Sequence, residues 1–436
     1  MNLVRTKVCD NIYLSSIKTD KFKSGIISFS LFHPTNAENS AYGAILSGVL
    51  RRGTKKYSDM AKINLRLDEL YASSVDIRST RLGKNLILSF GAELLDNRFS
   101  TDGTDILDGV LELISEMMFY PKRQDSLFPE PIVRQEAGFV LDSIKSEINN
   151  TRAYAYNRCV EIMKRNDADF PTLKRVCEIV QNTDTHALSA FYDRMISSSI
   201  EVFYIGALDE AEVAKRIIKY FSAHSRGLVY SPILPCPDAP CDFHKAEEAM
   251  PVSQGKLAMG MRTGCGINHG DYHAGILLNE LFGASPASKL FLNVREKLSL
   301  CYHCSSAFDM VSGNITVSSG MDIKNRQVAE EEIIRQFEDI RKGNITDKEI
   351  RAAKRSLENV YKQIYDNPFD IQSFYSTRQF FGSSETPEEC MSKISTLTTD
   401  DIADLAQKTV LDTVFFVKGT LTDNETYEEE EDHENE

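Results

Sequence analysis

The most informative part of the sequence is Leu281-Phe282-Gly283-Ala284-Ser285-Pro286-Ala287-Ser288-Lys289-Leu290-Phe291-Leu292-Asn293-Val294-Arg295-Glu296-Lys297-Leu298-Ser299-Leu300-Cys301-Tyr302. It starts at the end of an apolar segment that is predicted to be helical. A mixed apolar and charged segment follows and leads into a predicted strand. The segment therefore joins a predicted helix to a predicted strand.

The order of strand and helix occurs twice along the chain. Residues 26–52 contain a period-two strand with both faces at least partly buried, followed by an apolar helix. Residues 254–261 and a helix near 271–283 repeat that order. Two later strands carry glycine at their ends, Gly206 and Gly419, about 210 residues apart. Together these similarities predict duplication of one domain-sized unit.

The chain is therefore predicted to be an α+β protein with two related domains, each a mainly antiparallel sheet covered by helices. Its 436 residues suit two domains of ordinary size. One long helix is predicted over residues 130–164. The predicted boundaries are 1–225 for the first domain, 226–245 for a proline-rich linker, 246–421 for the second domain and 422–436 for a disordered acidic tail.

Charge and hydropathy exclude several classes of function. The formal charge is −14, but residues 423–436 hold nine of the acidic residues, so the body is only about −5 and has no basic surface suited to nucleic acid. A run of eighteen apolar residues, as a membrane span requires, does not occur. The first residues lack the apolar core of a secretory signal, and the nine cysteines form no dense framework. We expect reduced thiols and a cytoplasmic location.

Three groups of residues suggest metal or redox chemistry, and each has a simpler interpretation. Cys301 and Cys304 form a C-x-x-C pair, but in a strand such a pair would point to opposite faces. Cys236, Cys241 and His244 lie in the proline-rich linker, where a surface loop is expected. His269 and His273 have helical ligand spacing, yet the intervening glycine and aspartate indicate a helix start, so we expect exposed or capping residues.

The segment quoted above resembles the pitrilysin or insulinase family of zinc peptidases, which includes the mitochondrial processing peptidases. In that family a helix and a Gly/Ser turn precede S-[RK]-L-F and then R-E-K-x-x-L-x-Y. Ser288–Phe291, Arg295–Lys297, Leu300 and Tyr302 match these motifs. The order of strands and helices in both halves agrees, so the resemblance covers about residues 1–421.

The zinc-binding part of the family pattern is absent. Active members carry H-x-x-E-H on the first helix of the first domain and a glutamate ligand on a later helix. Here Ala44 and Gly48 stand in place of the two histidines, Ser47 replaces the glutamate that would activate water, and the later ligand falls at Ser143. Without imidazoles, a nearby carboxylate cannot hold zinc tightly. We expect no zinc and no other cofactor in this chain.

Arg295 and Tyr302 match the arginine and tyrosine that, in the family, contact substrate near the scissile bond. A guanidinium offers several fixed donors and a phenol can donate to a developing oxyanion. The simpler interpretation is that Arg295 pairs with a nearby carboxylate and that Tyr302 is a half-buried strand residue. The surrounding motif favours substrate binding.

The resemblance implies a non-catalytic, substrate-binding subunit of a heterodimeric zinc metallopeptidase that processes peptides in a closed cavity. The partner would be a zinc-bearing sister subunit of the same family, and the peptide would bind extended along a sheet edge. One alternative is a homodimeric peptide-binding or scaffold protein without proteolytic activity. Another is an independent enzyme that uses cysteine or a different metal. A homodimer is also expected to be possible when the partner is missing.

Overall fold

The computed structural model describes residues 1–224, 227, 230–234, 242–269 and 272–420. Its eleven described strands are β1 Leu3–Cys9, β2 Ile12–Lys18, β3 Ser24–Pro34, β4 Ser74–Leu82, β5 Asn85–Leu95, β6 Ile200–Gly206, β7 His244–Met250, β8 Gly255–Arg262, β9 His303–Asp309, β10 Asn314–Met321 and β11 Val410–Gly419. They form two sheets, with strand orders β1-β2-β6-β3-β5-β4 and β7-β11-β8-β10-β9.

The α-helices of the described residues are α1 Ala37–Val49, α2 Met60–Glu69, α3 Ile106–Phe119, α4 Glu130–Asn149, α5 Thr151–Met163, α6 Leu173–Gln181, α7 Thr185–Ile196, α8 Glu210–Phe221, α9 Tyr272–Asn279, α10 Arg326–Arg341, α11 Asp347–Gln363, α12 Pro368–Phe380, α13 Pro387–Thr396 and α14 Thr399–Lys408. Among these helices none is both long and apolar enough to cross a bilayer. The α+β prediction is confirmed.

The two sheets share one topology. The last five strands of the first sheet, β2-β6-β3-β5-β4, correspond in order to β7-β11-β8-β10-β9. Each set has one parallel pair, β2 with β6 and β7 with β11, and all other neighbours are antiparallel. The predicted duplication and the mainly antiparallel sheets are thus confirmed. The edge strands β4 and β9 occupy equivalent positions.

The chain forms two compact units that exchange segments. The first comprises Met1–Ile144, Asp169–Ile233 and Tyr365–Phe380, and the remainder, which includes 145–168, forms the second. Helix α5 therefore belongs to the second unit, although it comes from the first half of the chain. Helix α12, from the second half, belongs to the first unit. The sequential boundaries predicted above do not include this exchange, because both helices pack on the sheet of the other half.

Helix α12 covers a face of the first sheet that carries serine side chains. Gln372 Nε2 donates to Ser28 Oγ at 2.5 Å, and Ser15 Oγ donates to Gln379 Oε1 at 2.6 Å. The Phe380 ring stacks on a phenylalanine of β3, Phe32, with centroids 4.6 Å apart. These contacts explain why β3 is buried on both faces.

Helix α5 covers the corresponding face of the second sheet. Its buried residues Ala155, Cys159 and Met163 form an apolar cluster with Ala258, Phe415 and Val417.

The predicted single helix over 130–164 is wrong, because α4 ends at Asn149 and α5 begins at Thr151. The break is stabilised by Asn150, whose side chain accepts a hydrogen bond from the Ala153 backbone N–H at 3.2 Å.

Two predicted segments lie largely or wholly outside the described residues. The linker prolines Pro235, Pro237 and Pro240 belong to the undescribed range 235–241, as do Cys236 and Cys241. The predicted acidic tail, 422–436, is also outside the described part of the chain.

A buried ion-pair cluster fixes the end of α5 to the second sheet. Asp412 of β11 is fully buried and accepts from Arg262 Nε at 2.8 Å and from Arg165 Nη1 at 3.1 Å. Arg262 also donates to the Met163 carbonyl at the end of α5. One carboxylate therefore balances two guanidiniums, one of them almost fully buried.

We expect Asp412→Ala to lower the free energy of unfolding by about 3–5 kcal/mol, since it leaves buried positive charge without its counter-ion. Urea denaturation followed by circular dichroism measures the change. The matched control is Asp404→Ala on the exposed side of α14, for which the change should stay within about 0.5 kcal/mol. Equal effects of the two substitutions would contradict the role assigned to Asp412.

Candidate functional site

The four positions that would hold and activate zinc carry no ligands in the structure. Ala44, Ser47 and Gly48 lie on α1, and Ser143 is exposed on α4. The Ser47 hydroxyl donates to the Ala44 carbonyl at 2.8 Å, so it is bound to its own helix. A methyl group, a hydroxyl bound to its own helix and a glycine cannot replace imidazole and carboxylate ligands. These residues do not fit a zinc ion.

An arginine–glutamate pair occupies the space beside Gly48. A Cβ atom at residue 48 would overlap Glu136 Oε2 and lie 2.7 Å from Glu136 Cδ. Glu136 is buried on α4, and its carboxylate pairs with the Arg52 guanidinium. That guanidinium lies over the Phe139 ring, 5.6 Å from its centroid. A histidine at residue 48 would therefore require Glu136 to move.

The sequence alone did not identify Glu136 as the residue that fills this space. The signal that could have found it is spacing: Glu136 and Ser143 are seven residues apart, which is two helical turns and one face of α4. Arg52 similarly follows Gly48 by four residues at the end of α1.

Within the described ranges, one group of at least three His, Cys, Asp or Glu side chains is close enough to share an ion: His273, Glu385 and Cys390, with ligand atoms within 4.8 Å of one another. His273 is buried and its Nε2 lies 3.3 Å from Glu385 Oε2. Glu385 also accepts from Tyr272 and Lys393. Burial works to raise the pKa of Glu385, but these bonds outweigh it and lower that pKa. We interpret the group as a hydrogen-bonded link between α9 and α13.

The prediction that His269 and His273 are exposed or capping residues is correct for His269, which is exposed, and wrong for His273. The reason is that α9 begins at Tyr272, so His273 lies in its first turn and faces α13. His244, the described member of the third candidate group, is exposed at the start of β7.

The prediction that Cys301 and Cys304 point to opposite faces is also wrong. Strand β9 begins only at His303, so Cys301 precedes the regular alternation. Both thiols are buried and free, and they share a hydrogen bond. This bond, together with burial, raises the pKa of Cys304 well above its usual value. The same bond lowers the pKa of the Cys301 thiol, so Cys304 alone is the poor nucleophile of the pair.

Arg295 lies on an unusual helical segment. Leu290–Lys297 is a π-helix, a rare conformation that often occurs at functional sites. Buried Lys289 anchors its start by donating to Glu349 Oε1 at 2.7 Å. After the helix, Ser299 adopts a left-handed φ of 50° and turns the chain toward β9.

Arg295 and Tyr302 line the same pocket of about 350 Å³ in the second unit. The Tyr302 hydroxyl donates to Asp322 Oδ1 at 2.6 Å. The Arg295 guanidinium lies 4.7 Å from the Phe291 ring centroid, and its Nε is 3.6 Å from Glu296 Oε1. Tyr302 is 57% exposed, so it is not a half-buried strand residue. Both groups have partners and both face solvent, where a ligand can reach them.

His303, the residue that follows Tyr302, lies close to several positively charged side chains. Burial, and then the charges of Arg152, Lys256 and Arg295, lower the pKa of His303 to about 4. His303, Gly320 and Lys256 are neighbours across three strands. A Cβ atom at residue 320 would lie 2.8 Å from His303 Nδ1 and 3.3 Å from Lys256 Nζ, so both side chains lie against the glycine. Periodicity and motifs do not reveal this cluster, because its members come from separate elements.

Comparison with known proteins agrees with this combination of features. The family described as "Peptidase M16 inactive domain" matches residues 185–357. A protein of Bacillus subtilis named "Probable inactive metalloprotease YmfF" is 29% identical over 408 residues, which are 93% of this chain and 95% of that protein. Two crystal structures share the fold. A conserved protein from Enterococcus faecalis has a TM-score of 0.88 at 24% identity, covering 97% of this chain and all of that one. A peptidase M16 inactive domain from Pseudomonas fluorescens has a TM-score of 0.77 at 16% identity, covering 97% and 99%.

We expect Gly48→Ala to lower the free energy of unfolding by about 1–3 kcal/mol, because the added methyl group overlaps Glu136. In a Glu136→Ala background the same change should be neutral or stabilising. The control is Gly138→Ala on α4, where a Cβ atom would have no neighbour within 4 Å and a gain of about 0.5–1 kcal/mol is expected. Urea denaturation of the variants measures the coupling. An equal loss in both backgrounds would exclude the overlap.

His303 should make the protein less stable in mild acid. Since its pKa is about 4 in the folded protein and 6.5 ordinarily, the unfolded chain takes up the proton first and stability falls as pH drops from 6.5 to 4. His303→Gln should reduce this loss, as judged by urea denaturation at pH 7 and pH 4.5. His244→Gln, an exposed histidine of β7, should keep the wild-type dependence. A wild-type pH dependence in His303→Gln would contradict the assignment.

Proposed function

We propose that this chain, which is similar to inactive members of the M16, or pitrilysin, family of peptidases and lacks the zinc ligands, is the substrate-binding subunit of a heterodimeric zinc metallopeptidase. A sister subunit would supply the zinc and the general base. The observation that carries the proposal is the contrast between the two site regions. Arg52 and Glu136 fill the space of a zinc ligand, whereas Arg295 and Tyr302 keep the family motif and line an open pocket.

The contribution of this chain would be to hold the peptide. Arg295 presents a partly exposed guanidinium whose pairing with Glu296 is long, so it can donate to a peptide carbonyl or carboxylate. The Tyr302 hydroxyl already donates a hydrogen bond to Asp322. For Tyr302 to donate to substrate, its hydroxyl must turn away from Asp322.

An extended peptide is the substrate class that suits this fold. Strands β4 and β9 each end a sheet, and β9 follows Tyr302 directly. Peptides that add to a sheet edge bind mainly through their backbone, which gives loose sequence preference. We therefore propose processing of varied short peptides, in the cytoplasm, with selection by size. A homodimeric peptide-binding protein without proteolysis is the competing outcome.

The test is peptidase activity of the chain alone and mixed with a zinc-bearing family member from the same genome. We expect no cleavage by the chain alone and cleavage by the mixture. Arg295→Ala with Tyr302→Phe should lower kcat/KM of the mixture about tenfold or more, because donors near the scissile bond are lost. Size-exclusion chromatography should show unchanged assembly.

The matched control is Arg351→Ala, which removes an exposed arginine of α11 and should leave kcat/KM unchanged. An inactive mixture would favour the homodimeric alternative. An active mixture with wild-type turnover in the double variant would remove Arg295 and Tyr302 from the site.

A further inference from the structure

A second pocket of the same unit lies between α5 and the edge of the second sheet. Its volume is about 360 Å³, close to that of the Arg295 pocket. Together with apolar surface, the lining includes polar side chains of α5 and its cap, and of β9 and β10: Asn150, Arg152, Tyr156, Asn157, Ser305 and Ser318. These hydrogen-bonding groups allow the pocket to accept a polar or charged group of a ligand.

Arg152 lines this pocket and Lys256 lies close enough to interact electrostatically with that arginine; among the described residues neither cation has a carboxylate partner. Arg152 Nη2 donates to Ser305 Oγ at 3.4 Å, and Lys256 Nζ donates to Gln254 Oε1 at 2.9 Å. In the described part of the chain, most other lysines and arginines whose side chains form a hydrogen bond or ion pair do so with an aspartate or glutamate. Burial, and then the charge of Arg152, lower the pKa of Lys256, so the two cations oppose each other. An anion bound here would offset that repulsion.

The donors converge because Gly320 has no side chain. Lys256 of β8 and His303 of β9 flank Gly320 of β10 on the face that α5 covers. Ser318, two residues before Gly320 on the same face, places its Oγ 3.5 Å from His303 Nε2. Ser318 of the pocket wall, His303 of the edge strand and Lys256 of β8 therefore lie on one face of the sheet.

We propose that Arg152, Lys256 and His303 form a subsite for a carboxylate of the bound peptide, either its C-terminal carboxylate or an aspartate or glutamate side chain. The proposal rests on the proposed peptide-binding function and adds a charge preference to it. A peptide lying along β9 would bring its carboxylates to this pocket, and a guanidinium with an ammonium is a common carboxylate-binding pair. Acidic peptides should thus be preferred, although the chain itself is acidic.

The experiment measures binding of short peptides, labelled at the N-terminus with an uncharged coumarin dye, to the full chain by fluorescence anisotropy. One backbone of valine and threonine is made in three forms: with a free C-terminus, with a C-terminal amide, and as the amide with one internal glutamate. We expect a carboxylate-bearing form to bind about tenfold or more tightly than the neutral amide. Loss on amidation identifies the terminus, and recovery by the internal glutamate identifies a side-chain carboxylate.

The variants Lys256→Met and Arg152→Gln should abolish this preference, so that carboxylate-bearing and neutral forms bind with equal affinity. Lys408→Met, an exposed lysine of α14, is the matched control and should keep it. As a local readout, an acidic peptide should raise the pKa of His303 above its value of about 4 in the free chain, measured by NMR titration of the imidazole.

Equal affinity for all three peptides, no binding of any of them, or a preference that survives both substitutions would overturn the subsite. These measurements need no sister subunit. A carboxylate preference without cleavage on mixing would therefore leave the subsite standing and remove the metallopeptidase proposal, and cleavage without charge preference would do the reverse.

Discussion

The contacts of Asp412 determine where α5 lies, and much of the second unit depends on that helix. Its carboxylate binds Arg165, just beyond α5, and Arg262 of β8, which in turn binds the last carbonyl of α5. Gly260 provides the clearance, because a Cβ atom there would overlap Met163. With its end fixed in this way, α5 places Arg152 and Tyr156 in the lining of the second pocket. A buried charge cluster at one end of α5 thus helps to position the side chains that the helix contributes to that pocket.

The region of α1 and α4 shows how positions that carry zinc ligands in active family members are packed when other residues stand there. A carboxylate left beside a vacated ligand position would be buried without a counter-charge, which is unfavourable. Here Glu136 pairs with Arg52, and Gly48 leaves room for the carboxylate. The glycine at residue 48 and the packing of Glu136 against it therefore depend on each other. A histidine introduced at residue 48 would meet space that Glu136 already occupies.

Much of the fold was accessible from the sequence, because period-two strands and apolar helices have characteristic spacing. The α+β class, the duplication and the location of Arg295 with Tyr302 on one pocket follow from such patterns and from the R-E-K-x-x-L-x-Y motif. The break at Asn150 was missed because both flanking segments are helical. Cys304, His273 and Lys256 were misjudged or overlooked because their neighbours come from distant elements, which periodicity does not report.

The exchange of α5 and α12 has a consequence for biosynthesis. The first sheet is complete once β6 has left the ribosome, yet the helix that covers Ser15, Ser28 and Phe32 is encoded after residue 367. The nascent first unit must therefore wait, with that face open to solvent, while more than a hundred further residues are synthesised. Each half of the gene expressed separately would lack one helix of its own unit, so each unit needs both halves of the chain to be complete.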